Sequence, residues 1–359
     1  MRLLVARLTC AFVIVIGAMA CSGAVPTPSQ LTAPTASPTV TPAAAAASPS
    51  AAAPKPEGQI VFFDFAAAPG FAQIYIENAD GSNARQLLKS QFNDEKPALS
   101  PDGRRVAFTR YVADGAPLKD GGVFIVNVDG TGLKQIDTLS EDVSWSPDGS
   151  KVVMTRALFD PGTQAPYNVA LWTVNADGSG LNQITLKGRR CENVCANGAQ
   201  DNQAVWSPDG KRLAFKRDTY TKPEQFSIFT VATDGSDLRL VTPEGMDVGD
   251  PDWSPDGTHI AFQAPPEANE GGEQNIYKIQ SDGTGLQQLT AKLSSSDGRM
   301  GTFHPSWSPD GKQIAFSHDP GMGGVSDIFV MNSDGSGLRV LAATPLNENA
   351  PDWGPMPKS

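Results

Sequence analysis

The sequence predicts an all-β fold, a six-bladed β-propeller, on three observations. A Ser-Pro-Asp-Gly turn, preceded in four of its five copies by Trp, recurs down the chain. A second turn, Asp-Gly followed by Ser or Thr, recurs in phase with it. The chain then finishes on an orphan copy of the strand that precedes the first motif, Ala350-Pro351-Asp352-Trp353.

The Ser-Pro-Asp-Gly turns begin at Ser100, Ser146, Ser207, Ser254 and Ser308, 46 to 61 residues apart, and Trp353-Gly354-Pro355 is a truncated sixth copy. That period is the length of a four-stranded propeller blade. Proline presets φ for the second turn position, and glycine accepts the left-handed conformation that sends the chain back as a hairpin. Trp145, Trp206, Trp253, Trp307 and Trp353 precede the turns, with Leu99 standing in once; packing between blades is their expected role. The second turns begin at Asp80, Asp129, Asp177, Asp234, Asp282 and Asp334. Short apolar runs such as Val106-Ala107-Phe108 and Ile276-Tyr277 flank both classes and read as strands. Because the first blade lacks a Trp-bearing strand ahead of Gln59, the last residues are expected to supply it. Closing the ring this way removes exposed strand edges.

Thirty-five glycines and 29 prolines suit many short strands joined by tight turns. The formal charge of −11 disfavours nucleic acid and anionic membranes as partners. Residues 1–20 read as an export signal, with Arg2 and Arg7 ahead of an apolar run, Leu8 to Ile16, too short to remain as a membrane span. Ala18-Met19-Ala20-Cys21 resembles a bacterial lipobox in which Cys21 is lipidated, although Ala18 stands where leucine is usual. The alternative is ordinary secretion with cleavage near Ala20. Residues 21–57, almost wholly Ala, Pro, Ser and Thr, form a tether that cannot bury apolar area sufficient to offset its ordering entropy. Residues 58–359 are the propeller.

These repeats resemble the TolB-type propeller family, on the Trp-Ser-Pro-Asp-Gly and Asn-x-Asp-Gly-Ser signatures, from about Gly58 to Pro355. The resemblance implies a cell-envelope propeller, either of the TolB kind, with an α/β domain ahead of it, or of the prolyl oligopeptidase kind, beside a hydrolase domain. Here the low-complexity tether stands where TolB has its α/β domain, and no Gly-x-Ser-x-Gly nucleophile elbow occurs. The expectation is therefore a non-enzymatic, monomeric binding module without a cofactor. It would be held in the membrane through Cys21 alone and would dock an envelope protein, peptide or cell-wall component. A hydrolase or lyase at the channel mouth is the alternative.

Both turn classes are constant in length, so all length variation falls on the opposite face, where a repeat protein places its binding surface. Aligned blades put Arg110, Arg156, Arg217 and His318 at one position of that face. Glu95-Lys96, Glu141-Asp142, Asn202, Asp250, His304 and Asn349 fall just ahead of the inner strands. Arg110, Arg156 and Arg217 would form a basic arc gripping a carboxylate; otherwise they pair structurally with Glu95, Glu141 and Asp142. His304 precedes proline at an inner strand start, where a structural hydrogen bond is favoured over catalysis. Phe159, Tyr167, Tyr220 and Met300 are candidate apolar anchors, or else fill the cores of their loops. Cys191 and Cys195 share the longest insertion, where an oxidising compartment favours a local disulfide. Zinc is disfavoured because that insertion holds no histidine.

Overall fold

A computed structural model describes residues 56–65, 71–112, 120–159, 166–186, 200–218, 226–244, 246–266, 273–290, 301–320, 325–341 and 346–357. Residues Lys55–Ser359 form one compact unit. The signal, residues 21–55 of the tether, Cys191 and Cys195 lie outside the described residues.

The described chain is six four-stranded antiparallel sheets, the blades of a propeller. From the axis outward, blade 2 runs Asn93–Leu99, Arg105–Tyr111, Gly122–Asn127 and Lys134–Asp137. Blades 3 to 6 repeat that order, with inner strands Ser140–Trp145, Gln200–Trp206, Gly249–Trp253 and Thr302–Trp307. Blade 1 takes its inner strand, Glu348–Gly354, from the chain end, paired with Gln59–Asp64. The expected closure is thus observed.

Each recurring residue has a visible cause. In the turn at Ser100 the hydroxyl donates to Asp102 (2.5 Å) and accepts from the Arg105 amide (2.9 Å), and Gly103 adopts φ +69°. Behind the turns, Phe62, Phe108, Phe215, Phe262 and Phe316 are fully buried on the second strands, and Met154 takes their place in blade 3. Each Phe faces an aromatic directly across on the third strand: Tyr75, Phe124, Phe229, Tyr277 and Phe329. Their ring centroids are 5.7 to 6.2 Å apart. Burying one such ring contributes about 2–3 kcal/mol, and the paired ring adds some tenths more.

The tryptophans pack between blades, as expected. Trp145 joins a cluster with Ala98, Ala107 and Ile125 of blade 2, and its indole donates to the Ala98 carbonyl (3.0 Å). At the closing joint the Trp353 indole donates to the Glu57 carbonyl (3.0 Å). The Gln59 amide donates to the carbonyls of Gly103 (2.7 Å) and Pro355 (3.2 Å), tying the tail across blades 1 and 2. Leu99 stands in for Trp where the tail passes: a Cβ added to Gly354 would lie 2.5 Å from Leu99 Cδ2.

The tail separates two otherwise equivalent glycines. Gly103 and Gly149 share a turn type, with φ of +69° and +67°, but a Cβ on Gly103 would lie 2.4 Å from the Pro355 carbonyl, while on Gly149 the nearest atom is 3.5 Å away. Gly149→Ala is expected to cost about 1–2 kcal/mol from the left-handed backbone alone. Gly103→Ala is expected to cost roughly 3–4 kcal/mol because the tail must lift as well. Urea denaturation of the two variants checks the difference; equal costs would mean that the tail is not seated on the turn.

Candidate channel site

Every inner strand carries a bulge. Its register against the second strand shifts between Glu95 and Ala98, Glu141 and Ser144, Asn202 and Val205, Gly249 and Asp252, and Phe303 and Ser306. The joint of Glu348–Gly354 with Gln59–Asp64 is irregular in the same place. Inside each shift sits one non-glycine residue at φ between +47° and +53°: Lys96, Asp142, Gln203, Asp250, His304 and Ala350. A bulge leaves its backbone N–H outside the ladder of its own sheet. Side chains supply the missing acceptor: Asp142 N donates to Thr109 Oγ1 (3.2 Å) and Asp250 N to Gln203 Oε1 (3.0 Å). In the same way His304 N donates to Gln263 Oε1 and Ala350 N to Ser317 Oγ, both at 3.0 Å. All four acceptors belong to the preceding blade.

These six residues line the axial channel, a cavity of about 140 Å³. Lys96 is ion-paired with Asp142. Burial disfavours the Lys96 charge, yet Asp142, with Tyr111, Asp250 and Glu141, outweighs it and holds the ammonium well above its ordinary range. Tyr111 donates to Glu141 Oε2 (3.0 Å), and burial pushes both of these groups up. His304 Nε2 lies 3.5 Å from Asp250 Oδ2, a pair that becomes ionic when the imidazole is protonated.

Two residues further along, the channel wall carries Ala98, Ser144, Val205, Asp252, Ser306 and Asp352. Asp252 Oδ2 accepts from Trp307 N (2.7 Å), Ser306 Oγ from Trp353 N (2.9 Å) and Asp352 Oδ2 from Leu99 N (2.6 Å). Burial, reinforced by Asp352, lifts the Asp252 carboxyl to about 7, and burial lifts Asp352 to about 6, each opposed by its backbone donor. With Asp142 neutralised by Lys96, the carboxyls left facing the channel are those of Asp250, beside His304, and of Asp252 and Asp352, which ionise only as pH rises through about 7 and 6; once they do, the channel favours a cationic occupant. Among the described residues, no group of three or more His, Cys, Asp and Glu is arranged to hold a metal ion.

The arginines take other partners than Glu95, Glu141 and Asp142. Arg110 is bidentate to Asp94 (2.6 and 2.8 Å) and Arg217 to Asp201 (2.6 and 2.8 Å), with both aspartates fully buried. Arg156 contacts Asp137 of blade 2 at 3.3 Å. Aromatic faces cover the guanidinium groups: Phe92 and Phe124 lie 5.0 and 4.6 Å from Arg110, Phe215 and Phe229 each 5.2 Å from Arg217, and Trp172 5.3 Å from Arg156. The correction follows from register. Arg110 lies directly across from Asp94, and Arg217 from Asp201, whereas Glu95 is one residue on and alternation turns it to the other face. His318 is buried edge-on to Phe329 (5.2 Å), away from the channel lining.

Of the residues singled out from sequence, Asp142, Asp250 and His304 meet in the channel, joined by Lys96. Asn202 and Asn349, expected beside them, give way to Gln203 and Ala350. A fixed count was available: each of the six lies three residues ahead of its Trp, or of Leu99. Tyr220, Met300 and the side chains of Phe159 and Tyr167 lie outside the described residues.

The TolB beta propeller domain family matches residues 157–356. A Protein TolB homolog of Chlorobium luteolum is 30% identical over 290 residues, covering 80% of this chain and 58% of its own length. The Tol-Pal system protein TolB of Alcanivorax borkumensis is 30% identical over 86 residues, 23% of this chain and 19% of its own. The chain thus spans under two thirds of both relatives. The crystal structure of TolB from Acinetobacter baumannii superposes with a TM-score of 0.64 at 19% identity, over 83% of this chain and 67% of that one, a likeness of fold.

The three arginines are expected to behave unequally. Arg110→Ala and Arg217→Ala each leave a buried aspartate unpaired and should cost about 3–5 kcal/mol, whereas Arg156→Ala should cost about 1 kcal/mol. Denaturant titration checks this, and equal small losses would mean that the buried pairs do not form. The Asp252 carboxyl is raised from 3.8 to about 7, so the stability it permits is fully present below about pH 4 and is lost as pH rises through 7. Asp252→Asn keeps an acceptor for Trp307 N. It should raise the melting temperature at pH 8 by the equivalent of about 1–2 kcal/mol, allowing for channel water, and leave it unchanged at pH 4. A gain of the same size at both pH values would refute the titration.

Proposed function

The chain belongs to the TolB beta propeller family, and from that membership we propose that it is an exported, non-catalytic docking module of the cell envelope. It receives a cationic segment of a protein or peptide at its channel mouth. The observation that carries this reading is the contrast at the bulges. Six backbone-equivalent left-handed positions bear Lys, Asp, Gln, Asp, His and Ala, all facing one cavity. Left-handed backbone in non-glycine residues is costly, and such strain gathers at ligand clamps. Six positions alike in shape and unlike in chemistry give a ring that reads its occupant side chain by side chain. The acid excess in the channel sets the sign of that occupant, and a lysine or amino terminus suits it better than the carboxylate first inferred from the arginines.

Export through residues 1–20 and anchoring through lipidated Cys21 complete the proposal, leaving the propeller as the part that meets its partner. The Alcanivorax relative is by name a Tol-Pal system protein, which makes a component of such a system the first candidate partner.

The test is affinity capture from a detergent-solubilised envelope extract with the wild-type chain and with an Asp250→Asn/His304→Gln variant, both checked for native circular dichroism. Wild type should retain a saturable partner, and the variant should bind it at least about tenfold more weakly, some 1.4 kcal/mol. Undiminished capture by the variant would move the site off the channel, and absence of any saturable partner would overturn the docking role.

A further inference from the structure

We propose that the seam between blades 6 and 1 is an acid-tightened closure whose switch is the carboxyl of Glu77. In the third-strand column, Glu77 lies across from Ile60, and the equivalent residues of the other blades are Val126, Val174, Val231, Ile279 and Met331. All five are apolar and buried. Five seams of this ring are therefore closed by hydrocarbon at a place where the sixth carries an acid.

Alternation fixes which way Glu77 points. Its neighbours two residues to either side, Tyr75 and Ala79, pack with Ile60, Phe62, Trp353 and the blade 6 residues Ala315 and Val330, while Ile74 and Ile76 pack towards blade 2. Glu77 is 2% exposed, and both its carboxyl oxygens are buried without a hydrogen-bond partner. A carboxylate in that position would be uncompensated, so the group resists ionisation. Burial first, then the charges of Glu348 on the closing strand and Asp80 on its own turn, raise it from 4.5 to about 8.

The other titratable groups on the packed elements leave it unaided. Asp352 faces the channel; Asp64, His318 and Asp327 stand at the opposite end of their strands. Lys312 pairs with Asp310, Arg85 reaches to the Val128 carbonyl of blade 2, and Arg339, on the outer strand of blade 6, is not among the charges acting on Glu77, which are those of Glu348 and Asp80. The sign follows from the upward shift. Below about 4.5 the carboxyl is neutral whether the seam is open or closed. Between 4.5 and 8 the open form ionises while the closed seam holds its proton, so closure weakens as pH rises, and the loss levels off above 8.

The test is amide hydrogen exchange on the full chain at pH 6 and 8.5, corrected for intrinsic exchange chemistry. It compares Ala79 and Trp353 at this seam with Leu213 and Val231 at the seam between blades 3 and 4. In the wild type the opening constant at the blade 6–1 seam should rise on the order of a hundredfold between the two pH values, with the reference seam changing far less. Glu77→Gln should abolish the difference between seams, and Glu77→Met, the residue type of blade 6, should also lower opening at both pH values. Asp252→Asn should leave the Glu77 effect in place. An equal rise at both seams, or a rise that persists in Glu77→Gln, would overturn the proposal.

Discussion

The structure depends on the backbone amides of the inner-strand bulges, four of which, at Asp142, Asp250, His304 and Ala350, are held from outside their own sheet. An unpaired buried N–H costs on the order of 1–3 kcal/mol, so one blade alone is an incomplete solution. The acceptors are side chains of the preceding blade, Thr109, Gln203, Gln263 and Ser317. A β-sheet normally satisfies its own inner strands; here that duty passes around the ring. The same bulge breaks the alternation of the inner strand and turns a residue into the channel, so the feature that makes the blades interdependent also builds the cavity wall.

The joint within blade 1 is where the ring lacks chain continuity, since its inner strand and its other strands come from opposite ends of the propeller. Polar rivets gather there. Asp252, Ser306 and Asp352 hold amides of blades 6, 1 and 2 in turn, whereas the matching positions of blades 2 and 4 carry the apolar Ala98 and Val205. Asp352 in particular ties the closing strand to blade 2, across the open joint, and Gln59 does the same through the Gly103 and Pro355 carbonyls. Carboxylates suit this role because a charged acceptor makes a stronger bond than a hydroxyl. Their burial makes the bond dependent on protonation state.

What the sequence discloses follows how locally each feature is enforced. Turn residues act within four positions, so Ser-Pro-Asp-Gly and Asp-Gly read directly as turns and give six blades and the manner of closure. The partners of the arginines depend on strand parity, which an alignment of neighbouring acids does not carry: Asp94 and Glu95 adjoin in sequence, but only Asp94 lies across from Arg110. The channel acids were open to view in Pro251-Asp252-Trp253 and Pro351-Asp352-Trp353, masked by their resemblance to turn chemistry. Gln203 was hidden because the long insertion before it displaces an alignment anchored on loops rather than on Trp206. Glu77 needed the whole column, since a single acid on a strand is unremarkable until five apolar equivalents stand beside it.

The channel side chains therefore serve two masters. Gln203 holds the amide of Asp250, and Asp250 faces His304, so an occupant that draws on Asp250 or Gln203 acts on groups that also join blades 4, 5 and 6. Asp252 and Asp352 carry the same double role nearer the closing joint. A cation seated among these carboxylates would favour their charged forms and so strengthen their hold on the Trp307 and Leu99 amides. Occupancy and ring integrity then rise together. In a repeat fold whose blades are otherwise nearly uniform, that coupling concentrates on the half of the ring where the chain itself does not bridge the gap.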